Sequence, residues 1–201
     1  SSAQLPIINK NAKKWLNDAS EFVSKSRGIV ITEPAQFKNE KGDDVTYYEI
    51  KDMQIEEPWR ALNQLRNLAL ALAVLRKKET VDLEECKTMT ILIQSTAPVD
   101  RAEVMSSLID QSGISTREIA EKIQKPSKTV QRNLKELEAL GLIFRYHNDN
   151  FNSSGKQPWL YAIENKFSQF FEKTKENKAS TSEFVSLSAT DDTDINSEDI
   201  Y

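Results

Sequence analysis

One segment constrains the fold of this chain more than any other: ISTREIAEKIQKPSKTVQRNLKELEALGLIFRY, from Ile114 to Tyr146. Ser115 stands three residues ahead of Glu118, a capping-box start for a helix, and Ile119, Ala120 and Ile123 follow at helical spacing. The run breaks at KPS, where Pro126 is expected to end the first helix and Ser127 to cap the next. In that second helix Val130, Leu134 and Leu137 share an inner face, which leaves Lys128, Thr129, Gln131, Arg132 and Lys135 outside. Two short amphipathic helices bury their stripes by packing on each other, and small Ala120 lets them approach closely. Beyond Leu140 the chain reads GLIFRY, then the polar HNDNFNSSGKQP, then WLYAI, which is two strands around a Gly/Asn/Ser loop.

Widened to Pro98–Ile163, this stretch resembles the winged helix-turn-helix family. The resemblance implies a recognition helix over Ser127–Leu140, a wing over Ile143–Ile163 and duplex DNA as partner. The residues agree: Ser127, Lys128, Thr129, Gln131, Arg132 and Lys135 supply donors for phosphates and base edges where a major groove requires them. On the wing, Arg145, His147 and Lys156 are the expected phosphate contacts. From 115 to 145 there are seven basic residues against four acidic ones. The competing reading is an ordinary solvated face, since any exposed helix carries such residues, and some winged helices bind only protein. His147 alone reads as a solvated loop residue, and Trp159 as the wing's packing anchor rather than a base stacker.

Upstream, Trp15, Leu16, Ala19, Phe22 and Val23 recur at helical spacing over residues 11–26, with Gly28 as a stop. GIVIT and VTYYEI then suggest a hairpin around KNEKGDD. From Glu57 to Arg76 the residues Trp59, Leu62, Leu65, Leu68, Ala69, Leu72 and Leu75 predict a helix with a broad buried face. Asp82 with Glu85, and Asp100 with Glu103, repeat the capping-box start; the helix after Asp82 carries Leu83, Cys86, Met89 and Ile93. A last short helix bears Phe167, Phe170 and Phe171.

The stretch EPWRALNQLRNLALALAVLRKKETVDLEE resembles the helical lid of AAA+ ATPases, families that frequently append a winged helix. The resemblance would put Arg60 at the position of the arginine that touches a γ-phosphate; the alternative is an ordinary first-turn helix residue. No G-x-x-x-x-G-K-[ST] occurs in this sequence, so the chain alone is not expected to hydrolyse ATP by that route. One His and one Cys offer no triad and no metal-ligand spacing, and paired acids such as Glu56 and Glu57 suit the positive end of a helix dipole. The reading is a non-enzyme without cofactor or metal.

The net charge of −4 looks wrong for a DNA binder until the charges are located. Six carboxylates fall in residues 180–201 without a single Lys or Arg, and without them the balance becomes +2. This tail has too little apolar surface to offset its ordering entropy and is expected to be disordered. The longest apolar run, LALALAVL, is too short to span a bilayer, no secretory signal is present, and Cys86 has no internal partner, all of which suit a cytoplasmic protein. The missing initiator Met and the opening SSAQLPIINK, without a folding signal, suggest a piece of something longer.

The chain is thus read as mainly α with a small β wing. Residues 1–97 form a helical, lid-like subdomain with a candidate hairpin, 98–176 the winged helix-turn-helix domain, and 177–201 an acidic tail. Three functional readings remain: a DNA-binding module at the end of a larger P-loop ATPase, which leads; a complete transcription regulator that forms a homodimer through its N-terminal helices; and a protein-interaction adaptor.

Overall fold

The computed structural model describes residues 5–38, 42–111, 113–147 and 157–171. Ser1–Phe171 make up one unit. Lys156, the tip of the expected wing and the acidic tail lie outside the described residues.

The opening is not without structure. Strand β1 (Ile7–Ile8) pairs in parallel with β4 (Thr80–Val81), because Ile7 and Asn9 donate backbone hydrogen bonds to the carbonyls of Glu79 and Val81. Helix α1 (Lys10–Ser26) is capped by the Asn9 side chain, which accepts from the Ala12 N–H at 2.8 Å. Its five foreseen apolar residues, Trp15 to Val23, are all buried. The hairpin is present and longer than its two apolar runs suggested: β2 (Ile29–Lys38) and β3 (Asp44–Gln54) form an antiparallel ribbon with a register shift between Ile31 and Thr32. Ile29 and Tyr48 remain more than half exposed, so backbone pairing rather than burial holds its strands together.

Helix α2 (Pro58–Leu75) lies where the periodicity predicts, but its buried face is narrower. Ala61, Leu65, Ala69 and Ala73, spaced by four, form the seam, whereas Trp59, Leu68 and Leu75 are exposed. The small alanines admit α1 closely, and the larger side chains are left on the flanks. The capping box of Asp82 and Glu85 starts α3 (Leu83–Thr88) as expected. The single helix expected here breaks at Met89, whose N–H bonds to the carbonyl of Cys86, and resumes as α4 (Thr90–Gln94). Cys86, Met89 and Ile93 nevertheless all point inward, and burial, helped by Glu85 and Asp82, pushes the Cys86 thiol up to about 12.

Helix α5 (Val99–Asp110) starts two residues before the position the sequence suggested. Pro98 occupies the N-cap with φ −53°, so Asp100 sits inside the first turn and pairs with Lys125 at 2.6 Å instead of capping. After Gly113 (φ +76°), β5 (Ile114–Ser115), a strand the sequence did not suggest, leads into α6 (Thr116–Ile123), whose Ser115–Glu118 capping box is formed. Gln124, in the left-handed region at φ +55°, ends α6 before Pro126 is reached. Pro126 is then the N-cap of α7 (Ser127–Ala139), and Ser127, expected to cap, is its first helical residue. Having no N–H and a fixed φ, proline enters a helix start readily, and no side-chain cap is made here.

Helix α7 ends in a Schellman turn within the sequence LEALGLI. Gly141 takes φ +64°, its N–H reaches the Glu138 carbonyl and that of Leu142 reaches Leu137, both at 3.0 Å. The chain reverses into β6 (Ile143–Tyr146) and returns in β7 (Leu160–Ile163), which lies between β5 and β6 in an antiparallel sheet. Helix α8 (Asn165–Ser168) brings the three phenylalanines onto α1: Phe22 lies 5.5 Å from Phe167, 5.6 Å from Phe170 and 5.5 Å from Phe171, and Trp15 meets Phe170 edge-on.

Candidate nucleic-acid interface

Val130, Leu134 and Leu137 are fully buried, which fixes the orientation of α7 and turns its opposite face outward. Ser127, Lys128, Gln131 and Arg132 are exposed over the first turn and a half, and Thr129 is half-buried beside them. The side chains of Lys128 and Gln131 have no hydrogen-bond or ion-pair partner among the described residues. Arg132 lies 3.7 Å from Glu136, close enough for attraction but not for a hydrogen bond. Toward the other end, Lys135 is half-buried, with its ammonium 5.8 Å from the ring of Tyr47 on the ribbon. Among the expected contacts on this helix, Lys135 is the one the fold draws away from the exposed cluster.

On the wing, Arg145 pairs with Glu138 at 3.0 Å and lies 4.7 Å from the Trp159 ring. His147 faces the same indole at 3.6 Å between centroids. The register explains the grouping, since Tyr146 pairs with Leu160 and the next residues out are His147 and Trp159. Three planar side chains thus meet at the base of the wing, and His147 is exposed but stacked rather than simply solvated.

Other cations of the segment are already committed. Arg117 pairs with Glu121 at 2.8 Å, and Lys125 binds Asp100 and Glu103, whose carboxylates hold its pKa above the ordinary lysine value. Arg60 pairs with Glu56 at 3.0 Å on an exposed first helical turn. Asp82, Glu84 and Glu85 gather three carboxylates, and Arg76 and Lys78 neutralise them. Beside β1, a cleft of about 440 Å³ has Lys13, Asn17 and Arg66 on its walls over Leu16, Leu62 and Leu70. No helix among the described residues is long and apolar enough to cross a membrane.

Sequence reasoning passed over two residues that organise this site. Arg101 is almost wholly buried and binds Glu136 of α7 through Nε at 3.1 Å and Nη2 at 2.9 Å. No local signal marks it: an arginine in a first turn reads as solvated, and its partner lies 35 positions on.

The order helix, short strand, helix, helix and two-stranded wing over α5 to β7 is the winged helix-turn-helix fold. The family model HVO_A0114 matches residues 99–159, less than half of the chain. Among solved structures, the chain is similar to the MepR–DNA complex of S. aureus (17% identity, TM-score 0.34, 52% of this chain and 88% of that one). It is similar also to NMB1585, a MarR family regulator from Neisseria meningitidis (19%, 0.36, 63% and 80%), and to the transcriptional regulator SlyA (19%, 0.34, 68% and 82%). No curated protein matches the sequence.

Proposed function

We propose that this chain binds duplex DNA, with the N-terminal half of α7 in the major groove and the wing against the backbone, and acts as a transcription regulator rather than as an ATPase-coupled module. The observation that carries this reading is the exposed cluster of Ser127, Lys128, Gln131 and Arg132 on a helix whose other face is locked in the core. Exposed donors on a rigid element are what base and phosphate recognition needs. In this reading Gln131 and Arg132 contact bases, and Ser127, Lys128 and Thr129 contact phosphates and backbone, while Lys135 and Arg145 would have to leave Tyr47 and Glu138 to do so. The regulator form is preferred because Arg60 pairs with Glu56 on an exposed helical turn, as an ordinary first-turn residue does. A homodimer would match the two-fold symmetry of paired half-sites.

The test is salt-dependent binding of Lys128→Ala and Arg132→Ala to a selected and a random duplex. Losing Arg132 should cost about 1–3 kcal/mol on the selected duplex and little on the random one, whereas losing Lys128 should weaken both and reduce the salt slope by about 1. If both variants fold and bind as the wild type does, α7 is not at the DNA and the adaptor reading takes its place.

A further inference from the structure

Glu136 stands between two arginines. Its Oε2 accepts from Nε and Nη2 of Arg101, at 3.1 and 2.9 Å, and its Oε1 faces Arg132 Nε at 3.7 Å. Arg101 is itself held from behind, because its Nη1 donates to the backbone carbonyls of Gly28 at 2.6 Å and Ser26 at 3.3 Å, where α1 ends and the ribbon begins. The side chains of Arg101 and Glu136 are 9% and 14% exposed, whereas that of Arg132 is 45% exposed. A fixed carboxylate thus sits beneath a cation that still reaches solvent.

We propose that Glu136, anchored by Arg101, is a positioning residue that presents Arg132 to the base edges and so sets sequence preference without touching DNA; this rests on the reading of α7 as the recognition helix. A buried ion pair is no strong source of stability by itself, since apolar packing often serves as well. Its distinct effect here is geometric. An arginine free to sample rotamers must lose that freedom when it grips a base, and a charge held below it limits the sampling beforehand. An apolar residue at 136 could fill the space but could not restrain Arg132.

The experiment measures binding of the full chain to a duplex enriched from a random pool by the wild type, and to an unselected duplex, for wild type, Glu136→Gln, Arg132→Ala and the double variant. Glutamine keeps the volume and one oxygen for Arg101 but removes the charge facing Arg132. Glu136→Gln should lower the preference for the selected duplex by a substantial part of the roughly 5- to 150-fold that losing a base contact costs. Binding to the unselected duplex should hold or tighten, because a carboxylate near phosphate has gone. In the Arg132→Ala background the same change should lower preference no further. An equal loss on both duplexes, or an undiminished effect without Arg132, would make Glu136 a support of the fold only and overturn the proposal. Should Glu136→Gln fail to fold, Arg101→Lys, which leaves the carboxylate but loses the fork that fixes it, should lower the preference for the selected duplex in the same way, leave binding to the unselected duplex unchanged, and have no further effect in the Arg132→Ala background. A wild type that binds no duplex overturns the DNA reading itself; one that binds while Glu136→Gln keeps full preference overturns this proposal alone.

Discussion

Single residues decide how firmly the recognition helix is held. Leu134 is fully buried on α7 between Val130 and Leu137, with Ile119 and Ala120 of α6 also in the core. Leu134→Ala removes three carbons, the γ methine and both δ methyls, from that core and leaves a cavity, at a cost of about 2–5 kcal/mol. Urea unfolding followed by far-UV circular dichroism measures it, and a midpoint equal to the wild type's would contradict this placement. These positions were legible because their period is local and strong. Ser127 was not, because a serine after a proline scores well as a cap in sequence, while the geometry gives the cap to Pro126. Arg101 was invisible for a different reason: its role depends on two carbonyls and a carboxylate that only the folded chain brings to it.

At the level of elements, the joint between α2 and α3 is electrostatic. Glu85 has no exposed surface, and although burial pushes its pKa upward, hydrogen bonds from Lys78 and Arg76 and from the Asp82 backbone bring it down to about 2. A carboxylate lowered on folding stabilises the native state above its unfolded pKa of about 4.3, and that contribution fades as the pH falls toward 2. The stability gap between wild type and Glu85→Gln should therefore be widest near neutral pH and close between about pH 4 and 2. Denaturant midpoints at several pH values measure it; a gap that widens on acidification contradicts the assignment. The capping boxes at Asp82 and Ser115 were readable in sequence because both partners lie within four residues. The breadth of the buried face of α2 was not, since apolar spacing says which residues share a side and not how much of that side a neighbour covers.

Across the whole molecule, the α7 site depends on residues far upstream. Phe167 and Phe170 are buried against Phe22 and Trp15 of α1, and Arg101 uses the carbonyls of Ser26 and Gly28. The division at residues 97 and 98 can be tested directly. Cutting there uncovers two phenylalanines, each contributing about 1.5–3 kcal/mol of burial, and leaves a buried guanidinium short of acceptors. Residues 98–171 alone should melt well below residues 1–171 in calorimetry, whereas equal melting would establish the C-terminal part as an independent domain. What the sequence by itself determined is whatever rests on neighbours a few residues apart: helix periods, capping pairs, the Gly141 corner and the polar outer face of α7. Tertiary structure alone decided which outer cations stay available, because Lys125, Lys135 and Arg145 find partners 25, 88 and 7 positions away, and Coulomb attraction depends on distance in space, not along the chain.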